Sequence, residues 1–126
     1  MILFDTFTPV DGSPIYLQIV TFIKRGAIAG SIRDGDELPS RRVLSALLGI
    51  NPNTVQKAFR LLEEEQLIES RTGARSCMTL DEEKLRRLKK DMLAQDIRGV
   101  IEALKQMGIS KQDALQLIDE NWEDLL

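Results

Sequence analysis

From Leu38 to Glu65 the chain reads LPSRRVLSALLGINPNTVQKAFRLLEEE, and no other segment restricts the possible folds as much. Pro39-Ser40 opens one short helix, with Val43, Leu44, Leu47 and Leu48 expected on its buried side. Gly49 supplies a bend. Asn51-Pro52 then opens a second helix, with a capping side chain followed by a proline at the first helical position. Apolar residues fall at Val55, Ala58, Phe59 and Leu62, the i, i+3, i+4, i+7 spacing of a single helix face. This leaves Asn53, Thr54, Gln56, Lys57 and Arg60 pointing elsewhere. A tight turn between two short helices, the second with an uncharged hydrogen-bonding face flanked by basic residues, suits a helix laid in the major groove of DNA.

The flanking segments complete a domain. Ser13-Pro14 reads as a helix start, with Ser13 as the capping acceptor and Pro14 at the first helical position. Ile15, Ile19, Phe22, Ile23 and Ala27 recur at helical spacing, with Lys24 and Arg25 outside the stripe, and Ala29-Gly30 closes the helix. Asp34-Gly35-Asp36 is turn chemistry. Leu67–Ser70 and Ser76–Leu80 are strand-like and flank a basic turn, Arg71 to Arg75, which together read as a small hairpin. Helix, helix-turn-helix and hairpin in that order predict an α+β, mostly helical fold, with a winged helix-turn-helix over residues 1–80.

From Asp81 the character changes. Acids fill the first turn of a long helix, which suits the helix dipole, and apolar residues follow at Leu85, Leu88, Met92, Ile97, Val100, Ile101 and Leu104. Gly108 ends it and Ser110 caps a last helix, whose apolar face is Ala114, Leu117, Ile118, Trp122 and Leu125. Two helices of this size hide too little surface to fold alone. Residues 81–126 therefore read as a two-helix dimerisation tail. Leu85, Leu88, Met92, Ile97, Val100, Ile101, Leu104, Leu117, Ile118 and Trp122 are expected at the interface between two copies. Trp122 has two readings, a packing anchor or the lining of a ligand pocket.

Composition excludes more than it identifies. The chain has 126 residues, with one Cys and no His, which rules out a disulfide framework, a zinc finger and a His-based triad. Cys77 is read as a small buried residue. No metal cluster, Gly-rich phosphate loop or paired acidic site is visible, so neither an enzyme nor a cofactor is expected. Met1 leads into a segment with no basic region and no long apolar run, so a cytoplasmic, non-membrane protein is expected. The net charge is −3. Residues 1–80 hold nine basic and nine acidic residues, so the whole acidic excess lies in the tail. Within 1–80 the acids cluster at Asp34–Glu37 and Glu63–Glu65, away from the expected reading face. A basic patch needs local charge rather than a high overall pI.

Several of these features also occur together in one family. Gly35-Asp-x-Leu-Pro-Ser40, the Arg42 that follows, Asn51-Pro-Asn-Thr-Val55, the closing Leu-Glu and the wing Gly73 resemble the DNA-binding domain of GntR-family bacterial transcription regulators, over roughly Pro14 to Leu80. The short two-helix tail and the Asn-Pro-Asn-Thr-Val wording resemble the YtrA-like subfamily. The resemblance implies a homodimeric, sequence-specific transcription regulator, a repressor, whose partner is double-stranded DNA carrying a palindromic operator. The alternative is a winged-helix module that binds another protein instead of DNA. The short tail names no small-molecule effector.

The resemblance places Arg42 where the family has an arginine contacting backbone or base edge. Arg41, about 100° round the helix, is a second candidate. Asn53, Thr54 and Gln56 are candidates for base edges or phosphates, Asn and Gln being suited to adenine. Asn51 has two readings, helix cap or DNA contact. Lys57 and Arg60 have two readings, phosphate contact or ordinary surface charge, and Lys57 is the expected contact, being nearer the helix end that enters the groove. The wing contributes Thr72, Gly73 and Arg75, the last directed to the minor groove or a phosphate. The chain departs from the family at Pro52 and Gln56, where many relatives carry arginine. It departs again at Gly73-Ala74-Arg75-Ser76, where the usual wing reads Gly-x-Gly-Thr.

Overall fold

The computed structural model describes residues 1–70 and 75–124. Helices α1 (Ile15–Ala29), α2 (Arg41–Leu48) and α3 (Pro52–Glu64) are followed by strands β1 (Ile68–Glu69) and β2 (Cys77–Met78), then α4 (Glu82–Gln106) and α5 (Lys111–Asn121). The chain forms two compact units, Met1–Leu88 and Lys89–Leu126.

The first unit is built on the apolar faces of its three short helices. Ile19 and Ile23 of α1, Leu44 of α2, and Val55, Ala58, Phe59 and Leu62 of α3 are all buried, with Leu38 and Met78 closing the core. Strand pairing is antiparallel, with Ile68 opposite Met78 and Glu69 opposite Cys77, shorter than the strand-like runs in the sequence. A third edge joins it through a bridge between Glu37 and Cys77. There the Leu38 amide donates to the Ser76 carbonyl (2.9 Å) and the Met78 amide to the Asp36 carbonyl (2.8 Å). The segment leading into α2 thus serves as the outer strand of the winged fold. The expected turn at residues 71–74 lies outside the described residues.

Three expectations need correction. Val43 and Leu47 are not buried: they are 44% and 69% exposed, while Leu44 and Ser45 are buried and Leu48 half-buried. At about 100° per residue, Leu44, Ser45 and Leu48 share one side of a two-turn helix and Val43 and Leu47 fall well round from it. Apolar letters alone could not choose between those two sides. Secondly, Ser13 does not cap α1. Pro14 is itself the cap residue, with extended backbone and no side-chain cap bond. Gln18 instead holds the approach to α1: its Oε1 accepts from the Val10 amide (2.9 Å) and its Nε2 donates to the Val10 and Ser13 carbonyls (2.9 and 2.8 Å).

Thirdly, Leu88 lies in the core of the first unit and Leu85 packs against it, so neither depends on a second chain for cover. The first unit consequently runs past Leu80 to Leu88. Asp81 Oδ1 caps α4 by accepting from the Lys84 amide (2.8 Å). Lys84 Nζ then donates to the Gln66 carbonyl (2.7 Å) and the Thr79 carbonyl (3.1 Å), tying the helix start to the end of α3 and the wing.

The N-terminal segment, given no structural role from sequence, is part of this core. Ile2 and Phe4 are buried, and Phe4, Phe7 and Phe22 form a ring cluster with centroids 5.1–6.0 Å apart. The Ile2 amide donates to the Glu37 carbonyl at 2.7 Å, extending the outer edge.

In the second unit α4 runs to Gln106, Gly108 takes φ 74° and Ser110 Oγ caps α5 through the Asp113 amide (3.1 Å). Positive φ suits Gly because it has no Cβ to clash. Met92 is buried, but α5 has no buried residue. Ile97, Val100, Ile101, Leu117, Ile118 and Trp122 are exposed. An open apolar groove of about 470 Å³ lies among Val100, Leu104, Ala114, Leu117, Ile118 and Trp122. Leu125 lies outside the described residues. None of the described helices is long and apolar enough to cross a membrane.

The turn that sets α3 against α2 is closed by a reciprocal pair. Buried Ser45 donates through Oγ to the Ile50 carbonyl (2.6 Å), and the Ile50 amide donates to the Ser45 carbonyl (3.1 Å). Ser45→Ala is expected to lower stability by about 1–3 kcal/mol, because the Ile50 carbonyl loses its hydroxyl donor. Thermal denaturation checks this, and an unchanged Tm would show that the bond contributes nothing.

Candidate nucleic-acid interface

Two side-chain caps and one glycine place the reading elements. Ser40 Oγ accepts from the Val43 amide (3.1 Å) and starts α2. Gly49 at φ 65° reverses the chain, a conformation that costs other residues strain. Asn51 Oδ1 accepts from the Asn53 amide (2.8 Å), so of its two readings the cap is formed. Pro52 follows at the first turn, where a missing N–H is harmless.

Between α2 and α3 this geometry opens a cleft of about 470 Å³. Arg41, Arg42, Ser45, Pro52, Asn53 and Gln56 line it. Asn53 and Gln56 stand three apart on one face of α3, so their amides share the cleft with both arginines. The walls therefore offer two guanidiniums and two amide groups, the donors and acceptors that base edges and phosphates require. The structure brings together four of the ten candidate residues here.

The other described candidates stand apart. Thr54 is half-buried beside the cleft, and its amide donates to the Asn51 carbonyl (3.0 Å). Lys57 is exposed on the next face, its Nζ 4.1 Å from the centre of the Tyr16 ring of α1. That cation–π contact gives a long flexible side chain a preferred position. Arg75 is exposed at the end of the wing, with Nη1 3.6 Å from Met1 Sδ. Thr72 and Gly73 lie outside the described residues.

Arg41 differs from Arg42 in being held by the protein. Its Nη2 donates to Glu63 Oε1 (3.1 Å) and its Cζ sits 5.0 Å from the Phe59 ring centre. Glu63, counted from sequence among acids away from the reading face, therefore reaches the cleft through Arg41. Of its neighbours, Glu65 does turn aside, pairing with Lys24 at 2.9 Å. Sequence reasoning also missed Tyr16 and Ser45, since both lie on helices whose apolar stripe was the signal being followed.

The fold and its cleft define a class: a winged helix-turn-helix transcription regulator. The pattern of bacterial regulatory proteins, gntR family, matches residues 15–77, and the chain belongs to this GntR family. It is similar to the HTH-type transcriptional repressor YtrA of Bacillus subtilis, at 43% identity over 65 residues, covering 52% of this chain and 50% of YtrA. The HTH-type transcriptional regulator YhcF of the same organism is 29% identical over 103 residues, covering 82% of this chain and 85% of YhcF. A solved GntR-family transcriptional regulator from Listeria monocytogenes superposes with a TM-score of 0.79 at 31% identity, covering 89% of this chain and 98% of the other. Regulation of transcription through a DNA-binding helix-turn-helix follows.

Replacing Arg42 or Gln56 by Ala is expected to weaken binding to a preferred duplex about tenfold to a hundredfold with no change in Tm. Unchanged affinity in a fluorescence-anisotropy titration would remove that residue from the interface. Lys57→Ala should instead weaken all duplexes alike and lower the salt slope of binding by about one.

Proposed function

We propose that this protein is a homodimeric repressor that reads a palindromic operator, with Met1–Leu88 as the reading head and Lys89–Leu126 as the dimerising tail. The observation carrying the proposal is the cleft between α2 and α3, where Arg41, Arg42, Asn53 and Gln56 share one surface. A helix presented beside such a cleft enters the major groove, its amides directed to base edges and the arginines to base edges or phosphates. Lys57 and the wing residue Arg75 add flanking charge for phosphates.

The tail supports pairing. An α5 with no buried residue, and exposed Ile97, Val100, Ile101, Leu117, Ile118 and Trp122, make an apolar surface that water penalises. A second copy offers the same surface in return, which a two-fold interface requires. Leu104 and the open groove extend it. Two heads held this way would bind half-sites whose centres lie about 10 bp apart, or a multiple of that, on one face of the duplex. Repression agrees with the name of the relative that is 43% identical over 65 residues.

Selection of bound fragments from a randomised duplex pool tests the reading. The expected product is a palindrome, bound with an affinity that falls steeply as salt rises. A protein that retains no duplex at low salt, yet forms a stable complex with another protein, would establish the interaction-module alternative. Ile101→Glu should convert the dimer to monomer in analytical ultracentrifugation. It should also cost roughly a hundredfold or more in palindrome affinity through lost avidity. A variant that stays dimeric would move the interface elsewhere.

A further inference from the structure

Glu63 lies where three elements meet. Its Oε1 accepts from Arg41 Nη2 on α2 (3.1 Å) and from Ser70 Oγ just beyond β1 (2.7 Å). Ser70 Oγ is in turn 3.2 Å from Ser76 Oγ, across the hairpin and next to β2. Ser76 is buried, and its carbonyl takes the Leu38 amide (2.9 Å) on the outer edge. One carboxylate oxygen on α3 therefore connects an arginine of the reading cleft to both sides of the wing base.

A carboxylate so close to a DNA-reading cleft opposes phosphate binding by its own charge, so its place needs an explanation. We propose that Glu63 is a positioning residue that confers discrimination between DNA sequences. This rests on the DNA-reading proposal above. An arginine released on its long stem reaches any nearby phosphate and adds affinity that ignores sequence. Held by Glu63 and stationed over Phe59, with its Nε buried, the Arg41 guanidinium keeps its outer donors at one place in the cleft, beside Arg42, Asn53 and Gln56. The same carboxylate gives the Ser70 hydroxyl a charged acceptor, which strengthens the bond that sets the wing base.

Glu63→Gln keeps the size of the side chain and an acceptor for Ser70 while removing the charge that holds Arg41. Glu64→Gln, on an exposed neighbour, removes one charge as a control. Both variants, wild type and the double variant R41Q/E63Q are titrated against a random-sequence duplex and against the duplex wild type selects from a randomised pool. E63Q is expected to bind the random duplex about three- to tenfold more tightly at low salt, with a slope of log K against log salt steeper by about 0.9. Its preference for the selected duplex should fall by at least that factor, E64Q should leave the slope unaltered, and R41Q/E63Q should return it to the wild-type value.

An unchanged slope, equal weakening on both duplexes, or the same change in E64Q overturns the proposal. Equal weakening is what a merely structural role would produce. Should wild type bind neither duplex, the DNA-reading proposal fails separately. The Arg41 Nε–H resonance then decides the positioning role: a shift in E63Q but not in E64Q supports it, and superimposable spectra overturn it.

Discussion

Inside the turn between α2 and α3, the Ser45 hydroxyl donates to the Ile50 carbonyl while the Ile50 amide donates back to the Ser45 carbonyl. This closed pair, with Gly49 in the left-handed conformation, holds the angle at which the two helices diverge. Leu44 on one side and Val55, Phe59 and Leu62 on the other are buried against that angle. The cleft that carries Arg41, Arg42, Asn53 and Gln56 is its outward consequence. A reading surface has to be held to a fraction of an ångström, and a turn bonded in both directions to the buried Ser45 is a rigid way to hold it.

Two kinds of polar link then distribute this rigidity. Backbone bonds join the outer edge at Asp36–Leu38 to β2, and Lys84 joins the start of α4 to the ends of α3 and the wing. Side-chain links through Glu63 join α2, α3 and the wing base. Among the described residues of the second unit, Met92 is buried while α5 buries none. The unit's apolar residues lie largely open, a surface that two copies of the same chain would remove from water together.

Much of this was legible in the chain. Val55, Ala58, Phe59 and Leu62 stand at helical spacing and are all buried, and the Asn51 and Ser110 caps form where their residue types indicated. The glycines at 30, 49 and 108 all take the positive φ that ends or bends a helix. What misled was the shortness of α2. Over two turns, Val43–Leu47 and Leu44–Leu48 are equally good apolar pairs, and only packing against α3 selects the second. The N-terminal segment carries no periodicity, so nothing signalled that Ile2 and Phe4 are core. Leu85 and Leu88 stood in one unbroken apolar pattern with the tail, and only the fold separates them from it.

The site divides in the same way. Residue type and spacing by themselves determined that a helix-turn-helix exists, where its helices begin and end, and that Asn53, Gln56 and the arginines escape the core. These are local properties, set by backbone hydrogen bonding and by a period of 3.6 residues. The tertiary structure alone decided which escaping side chains meet. Arg41 and Arg42 are neighbours in sequence, yet one is tied to Glu63 and Phe59 and the other is exposed. Arg41 and Glu63 are separated by 22 positions, a distance over which no periodicity in the chain can report a contact. Such pairs exist only once burial of the apolar faces has brought distant segments together.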